Sequence, residues 1–325
     1  MHERSRRIFD LSISLLGITI FLISLQKVSW TAVWQGIGSI GYGNMVVVTL
    51  LMTLPILATA WVMDALLSTI GKKVAFRKLL EYQTVRFFYN IVSPGPSVGG
   101  DLFEARLLQK EAGGNYSEYL GLVFFERYLR IILSILVIFP CMIAFFTYAT
   151  GTLTGVTIVS MWLLMAVLVG MTILYQQQKK PLQFLLGRVL GSRRKASLAR
   201  FEDYYLLFFK LPRAVRRRVV LRSFAVIAAF LLRITFVFYL CTGQVNWWAI
   251  GFIYLVENLV TLFPTPGSIG FFEGAQVYAF QLLGLGADAG VLFCFAYRAG
   301  QLVISIFSLP VIARARLLLN RRKAD

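Results

Sequence analysis

The chain has 325 residues, of which 58% are hydrophobic, and its mean hydropathy is +0.72. A soluble domain averages about 45–50% apolar residues, so the composition excludes an ordinary soluble protein and indicates an integral membrane protein. The formal net charge of +18 comes from basic clusters that lie between apolar stretches. This distribution is typical of cytoplasmic loops and argues against nucleic-acid binding.

Six apolar stretches are long enough to span a bilayer, which takes about 20 mostly apolar residues. In chain order they cover residues 8–27, 43–70, 117–149, 154–177, 219–242 and 287–312. No A-x-A cleavage site follows the first stretch, so we interpret it as a retained helix and not as a signal peptide. The third stretch is too long for a straight crossing, and we expect it to be tilted or to begin at the interface.

Two further apolar regions, residues 81–110 and 247–285, are each interrupted by a Pro/Gly-rich motif. Motif 1 reads SPGPSVGGDLFEA from Ser93 to Ala105, and motif 2 reads FPTPGSIGFFEGA from Phe263 to Ala275. Neither half of either region is long enough to cross a membrane comfortably, so each region is predicted to be a re-entrant helical hairpin. A broken backbone at membrane depth is tolerated only where protein or a water-filled cavity satisfies its polar groups.

The two motifs align with one another if one gap is allowed. The aligned pairs are Pro94 and Pro264, Pro96 and Pro266, Gly100 and Gly270, and Glu104 and Glu273. Each motif is followed by an arginine in an apolar run, Arg127 and Arg298. Matching Pro/Gly breaks in two halves point to the binding site of a repeat-built transporter. We therefore predict repeats at residues 81–149 and 247–312 of a single membrane domain, residues 1–325; two unrelated kinks are the alternative.

The basic residues test this topology. Loops 28–42, 149–154 and 243–286 carry no Lys or Arg, whereas both termini, residues 72–78 and residues 179–222 carry basic clusters. With six crossings and two hairpins, every basic cluster falls on one side of the membrane. We therefore predict an all-α polytopic protein of the inner (cytoplasmic) membrane with both termini in the cytoplasm. The hairpins then open from opposite sides, as inverted repeats whose tips meet near the midplane.

Residues 178–218 form one long basic segment that also carries leucines and phenylalanines. This mixture is typical of helices that lie in the interface against anionic lipid. A topology anchor without a specific ligand is the alternative interpretation.

The motif residues carry a resemblance to a known family. Pro264-Thr265-Pro266-Gly267-x-x-Gly270-x-x-Glu273, followed by Gly284 and Arg298, resembles the C-terminal signature of the flippase-like membrane family typified by the transmembrane domain of lysylphosphatidylglycerol synthase, the multiple peptide resistance factor. Gly99-Gly100-Asp101 with Glu126-Arg127 resembles the family's other signature. The resemblance covers nearly the whole chain and implies a membrane domain that translocates or handles lipid. The chain ends at Asp325, so we expect no synthase domain and no aminoacyl transfer.

Ionisable residues inside apolar stretches cost about 2.5–3.5 kcal/mol each on insertion scales, and they are therefore functional candidates. Arginine binds phosphate with two parallel hydrogen bonds, and the helices that follow Gly99 and Gly267 would direct anion-attracting N-termini at the motifs. The predicted substrate-binding residues are Arg127, Arg298, Glu104, Glu273, Asp101, Arg130, Glu126 and Glu257, with Ser93, Pro94, Gly95, Gly100, Pro264, Pro266, Gly267 and Gly270 of the motifs.

The alternative for these charges is that they only join hairpin to helix. In either case we expect Arg298 to contact Glu273 or Glu257, and Arg127 to contact Glu104, Asp101 or Glu126, because an unpaired charge at this depth is costly. Asp64, Arg86 and Arg233 are weaker candidates, and Arg233 is interpreted as a pairing residue. The only histidine is His2, and no cysteines have metal or redox spacing, so no metal, haem or other cofactor is expected.

These observations predict a flippase or transporter that moves a phosphate-bearing phospholipid or glycolipid by alternating movement of two inverted halves. The expected partner is a membrane phospholipid or a lipid-linked substrate, and no catalytic motif is found. Two alternatives remain: an integral-membrane enzyme that modifies a lipid, and a scaffold that recruits a separate cytoplasmic enzyme through residues 178–218.

Overall fold

The computed structural model describes residues 29–93, 99–149, 170, 210–261 and 265–320. Within these residues the protein is all-helical, with eight α-helices and no strand, which confirms the predicted all-α class. The helices are α1 (Trp30–Thr69), α2 (Phe76–Val92), α3 (Gly99–Ala112), α4 (Tyr116–Ala149), α5 (Arg213–Thr242), α6 (Trp247–Val260), α7 (Phe271–Leu282) and α8 (Ala287–Asn320), and a 3-10 turn covers Pro266–Ser268.

Three segments of the described residues are long and apolar enough to cross a membrane: Val33–Thr69 of α1, Arg213–Thr242 of α5 and Ala287–Ala315 of α8. They contain the predicted spans 43–70, 219–242 and 287–312, apart from residue 70 at the end of the first. Helix α4 coincides with the predicted long span 117–149. The predicted spans 8–27 and 154–177 lie outside the described residues, apart from Gly170, as does most of the basic segment 178–218.

Helix α1 begins earlier than the sequence predicts. Residues 28–42 are predicted to be a loop, but the helix starts at Trp30 and is only interrupted at Gly41, where φ is 68° and ψ is 158°. The reason is tertiary packing. Val33 is buried in a small apolar cluster with Val277 of α7 and with Ala287 and Val291 of α8. These contacts stabilise a helical segment whose own sequence carries no charged residues.

Each Pro/Gly-interrupted region consists of two short helices on either side of a break. The region 81–110 contains α2 and α3, and the region 247–285 contains α6 and α7. In each half the two short helices pack on one another, and the second of them packs on the long helix that follows: α3 on α4, and α7 on α8. The two halves therefore share one order of elements, whereas re-entry into a membrane stays a prediction.

The halves also pack on each other and on the helix pair α1–α5. Helix α6 contacts α4, α8 contacts α2, and α1 contacts both α5 and α8. Buried side chains from both halves belong to one apolar core, which includes Phe125 of α4, Phe238 of α5 and Phe280 of α7.

Candidate functional site

The first charged cluster is centred on Arg86 of α2. Its Nε atom lies 2.7 Å from Asp101 Oδ1 of α3, and its Nη1 atom lies 2.9 Å from Glu126 Oε2 of α4 and 3.2 Å from Glu104 Oε2 of α3. The Arg86 side chain is 5% exposed and the three carboxylates are at most 1% exposed. A single guanidinium therefore joins the three helices of the first half, with its charge buried.

Two more arginines of α4 extend this cluster. Arg127 Nη1 lies 2.6 Å from Asp101 Oδ2, and Arg130 Nε lies 3.7 Å from Glu126 Oε1. Gln83 of α2 donates a hydrogen bond to Glu104. Three arginines thus face three carboxylates, and their formal charges cancel. Buried charges are tolerated when they are paired in this way.

Gly100 lets α3 approach α2 closely enough to form this cluster. A Cβ atom at residue 100 would lie 2.0 Å from the backbone oxygen of Arg86. This distance is too short for any residue with a side chain. The Gly100 N–H donates to Asn90 Oδ1 at 2.8 Å, and the rings of Tyr89 and Phe103 stack with their centroids 3.8 Å apart. With the helices in contact at Gly100, the next residue of α3, Asp101, reaches the Arg86 guanidinium.

The second charged cluster lies in the other half and at its contact with α5, and it contains two ion pairs. Arg233 Nη2 of α5 lies 2.5 Å from Glu257 Oε1 of α6, and the same oxygen accepts a hydrogen bond of 2.7 Å from the Tyr297 hydroxyl of α8. Arg298 Nε of α8 lies 2.6 Å from Glu273 Oε1 of α7. The two arginines balance the two carboxylates, so this cluster is also formally neutral.

Glu273 has two roles, because its other oxygen, Oε2, accepts a hydrogen bond of 2.7 Å from the Gly270 N–H at the start of α7. Arg298 Nη1 donates to Gln301 Oε1 at 3.0 Å, and its guanidinium carbon lies 4.8 Å from the centre of the Phe272 ring. Arg298 Nη2 has no hydrogen-bond partner among the described residues. The Arg298 side chain is 25% exposed, compared with 5% for Arg86.

The break of the second half touches the first half. Gly267 has a φ of 57°, in the left-handed region that glycine adopts without steric cost. A Cβ atom at this position would lie 3.0 Å from the backbone oxygen of Ile91, near the end of α2, and 3.7 Å from Arg298 Nη1. Ser134 of α4 and Tyr254 of α6 also share a hydrogen bond of 2.7 Å between their hydroxyls. Motif 2, the end of α2 and Arg298 therefore lie together.

The structure tests the predicted pairings directly. Arg298 contacts Glu273, and Arg127 contacts Asp101, so both arginines lie within their predicted sets of partners. The motif alignment matches Glu104 with Glu273, but the acid that holds Arg127 is Asp101, while Glu104 faces Arg86. Among the three acids predicted as partners of Arg127, Asp101 forms an ion pair with it. That these residues bind substrate stays a prediction.

The remaining motif residues are placed only in part. Ser93 ends α2, and its N–H donates to the Tyr89 oxygen at 2.9 Å. Gly270 precedes α7, and Pro266 begins the 3-10 turn. Pro94, Gly95 and Pro264 lie outside the described residues.

Sequence reasoning underrated two arginines. Arg86 holds the first cluster together, and Arg233 pairs with Glu257, as its interpretation as a pairing residue predicts. The sequence does contain a signal for Arg86. Arg86 lies eight residues before Pro94, and Glu257 lies seven residues before Pro264. Each half therefore has a charged residue on its first short helix, at almost the same distance from its motif. Tyr297, the neighbour of Arg298, offers no such signal.

The fold and these two clusters define a multi-pass helical membrane protein with paired charges buried beside two helix breaks. The chain belongs to the lysylphosphatidylglycerol synthase TM region family, whose model matches residues 7–308. It is also similar to UPF0104 membrane protein PH1989 of Pyrococcus horikoshii, with 22% identity over 332 residues that cover 95% of this chain and 96% of that protein. The family confirms the resemblance inferred from the motifs and indicates a membrane lipid-related role.

Proposed function

We propose that this protein moves a phosphate-bearing lipid across the membrane without changing its covalent structure, by alternating movement of its two halves. The observation that carries the proposal is the arrangement of the charges. Each half ties the second of its short helices to its long helix through an ion pair, and the break of the second half lies against the end of α2 and beside Arg298.

The ion pairs favour movement of each half as a unit. Breaking the pair of the fully buried Asp101 would leave an uncompensated buried charge, which is strongly destabilising. The Asp101–Arg127 pair joins α3 to α4, and the Glu273–Arg298 pair joins α7 to α8. Each break is therefore coupled to its own long helix.

The contacts between the halves are of a different kind. The ion pairs of the first cluster join residues of α2, α3 and α4. The ion pairs of the second cluster join residues of α5 to α8. The contacts described above between the halves are uncharged: the Ser134–Tyr254 hydrogen bond and the approach of Gly267 to Ile91. A neutral interface can rearrange at a lower cost than a buried ion pair, so alternating access would occur along this surface.

Arg298 is the best-placed phosphate ligand. Its Nη2 atom is buried and has no hydrogen-bond partner among the described residues, the side chain as a whole is partly exposed, and its Nη1 atom faces the Gly267 backbone. A guanidinium can keep the Glu273 contact through Nε and still donate to a phosphate oxygen through Nη2. Arg86, by contrast, is enclosed by three carboxylates and is better suited to hold the first half together.

A lipid-movement assay on the purified protein tests this proposal. The protein is placed in vesicles that contain one fluorescent phospholipid or glycolipid at a time, and the fraction of label reachable by an impermeant quencher is followed over time. We expect faster exchange of at least one phosphate-bearing lipid than in protein-free vesicles, and loss of this exchange in Arg298→Ala. Exchange no faster than in protein-free vesicles for the whole panel would contradict the proposal.

The same vesicles separate the two alternatives. Mass spectrometry of the recovered lipids shows whether any lipid has gained or lost a group. A mass change without exchange would favour a lipid-modifying enzyme. Neither exchange nor a mass change would favour the scaffold.

A further inference from the structure

An apolar groove of about 550 Å³ runs along the α1–α5 helix pair. Its lining includes Leu54, Leu57 and Trp61 of α1 and Ala225, Ala228 and Leu232 of α5. On α5 the groove lies to one side of Arg233 of the second charged cluster: Leu232 is 52% exposed and Arg233 is 2% exposed, while Ala229, one turn before Arg233, also lines the groove. The groove lining contains none of the charged residues of the two clusters.

The shape of the groove suits a hydrocarbon chain. Leu54 and Leu232 mark one end, and Trp61 lies near Arg222 at the other, so α1 and α5 run antiparallel here. From Arg222 to Leu232 the helix rises by about 15 Å, at about 1.5 Å per residue, which is half of a hydrocarbon core about 30 Å thick. The alanines of α5 leave room between the helices, and the lining is almost entirely apolar.

One end of the groove is basic. Arg222 Nη1 donates to the Trp61 oxygen at 2.7 Å and to Asp64 Oδ2 at 3.0 Å, and the guanidinium carbon lies 4.7 Å from the centre of the Trp61 ring. Arg218 lies one turn earlier on the same face of α5 and is exposed, and Arg77 follows Phe76, another residue of the groove wall. Both hydrogen bonds of Arg222 use Nη1, so other donors of its guanidinium remain for a ligand.

We propose that this groove holds one acyl chain of an anionic phospholipid, with the lipid phosphate at Arg218 and Arg222. The apolar lining matches the chain, and the basic end matches a headgroup phosphate near the membrane surface. Trp61 lies where these two parts meet, as an amphipathic aromatic residue does at a membrane interface. The bound lipid would remain with the α1–α5 pair.

Fluorescence quenching tests this site in the folded wild-type protein. The protein is placed in phosphatidylcholine vesicles that contain either phosphatidylglycerol or phosphatidylcholine with brominated acyl chains, which quench nearby tryptophans. The Trp61 contribution is the difference between the wild type and Trp61→Phe. We expect brominated phosphatidylglycerol to reach half-maximal quenching of Trp61 at an approximately tenfold lower mole fraction than brominated phosphatidylcholine, as one charge-assisted contact implies.

Two variants locate the bound lipid. Arg222→Gln should remove the preference for phosphatidylglycerol, and Ala228→Phe should reduce quenching by both lipids because it fills the groove. Ile306→Phe is the matched control, since Ile306 is an exposed residue of α8 away from the groove. Equal quenching of wild-type Trp61 by both brominated lipids would overturn the proposal, and so would the absence of quenching by either, which would mean that protein covers the groove. Both of these outcomes require only the wild type and Trp61→Phe, and they do not depend on whether Arg222→Gln or Ala228→Phe folds.

Discussion

Arg86 and Asp101 form an ion pair of 2.7 Å across the first helix break, and Asp101 holds Arg127 at 2.6 Å with its other oxygen. The break between α2 and α3 is thus bridged by side chains, and the same carboxylate continues to α4. One acid therefore connects three helices. Because Arg86 and Asp101 are charged and buried, loss of this connection should affect the whole first half.

Replacement of Arg86 by glutamine should severely destabilise the protein. The change leaves Asp101, Glu104 and Glu126 buried without their central cation, and removal of one partner from a buried pair costs about 3–5 kcal/mol. Thermal unfolding of the purified protein in detergent measures the effect. Arg77→Gln is the control, because the Arg77 side chain is 85% exposed and its contact with Glu81 is 3.7 Å long. This exposed pair should contribute at most about 1 kcal/mol. Equal melting temperatures for wild type and Arg86→Gln would contradict the structural role of Arg86.

Gly100→Ala tests the close approach of α2 and α3. The new methyl group would lie 2.0 Å from the backbone oxygen of Arg86, so α3 must move away from α2 and weaken the Arg86–Asp101 pair. We expect a loss of stability, or no folded protein. Gly43→Ala is the control, since a Cβ atom in this part of α1 would meet nothing within 4 Å. There the substitution should be neutral or stabilising by about 0.5–1 kcal/mol, because alanine favours helix more than glycine does. Similar unfolding temperatures for the two variants would refute the contact.

These two positions show what the sequence predicts and what it does not. Prolines, glycines and arginines inside apolar runs are local signals, so both breaks and both arginines that follow them are visible without a structure. The choice between Asp101 and Glu104 as the partner of Arg127 is not local. It depends on how α3 lies against α2, which the contact at Gly100 determines. For the same reason the start of α1 at Trp30 is missed, since Val33 is held by α7 and α8.

The Arg233–Glu257 pair should show strong energetic coupling in a double-mutant cycle. Either Arg233→Met or Glu257→Gln alone leaves a buried charge, whereas the double variant removes both charges and still allows Tyr297 to donate to the amide oxygen. We expect the double variant to be more stable than the sum of the single effects predicts, by about 0.5–3 kcal/mol. The control cycle uses Arg222 and Asp64, whose pair is weaker because the Asp64 side chain is 48% exposed. Additive effects in the first cycle would show that the pair is not coupled.

The topology predicts which residues an impermeant thiol reagent can reach in intact cells. In a variant without the native cysteines, Ser192→Cys should be protected, because the basic residues of 178–218 predict that this segment is cytoplasmic. Gln244→Cys, in the exposed turn between α5 and α6, should react. Permeabilised cells serve as the control, and there both positions should be labelled. Labelling of residue 192 from outside would invalidate both the topology and the inverted arrangement of the repeats.

Lipid movement should depend on Arg298 more than folding does. Arg298→Ala removes the proposed phosphate donor, while Glu273 keeps its hydrogen bond from Gly270 at the start of α7 and its partly exposed side chain can reach water. We therefore expect folded protein that exchanges lipid at no more than the rate of protein-free vesicles. Arg298→Lys should restore part of the rate, because an ammonium is a point charge that cannot pair with Glu273 and donate two parallel hydrogen bonds to phosphate as a guanidinium does.

Equal amounts of each variant, matched by their elution in size-exclusion chromatography, make these rates comparable. The control is Lys78→Gln, which removes a cation that pairs with Glu111 outside both clusters and should leave the rate unchanged. The outcome that decides against a substrate-binding role is a wild-type rate in Arg298→Ala. In that case Arg298 would only join α7 to α8, and the phosphate would have to be held by Arg127 or Arg130, whose side chains are also partly exposed.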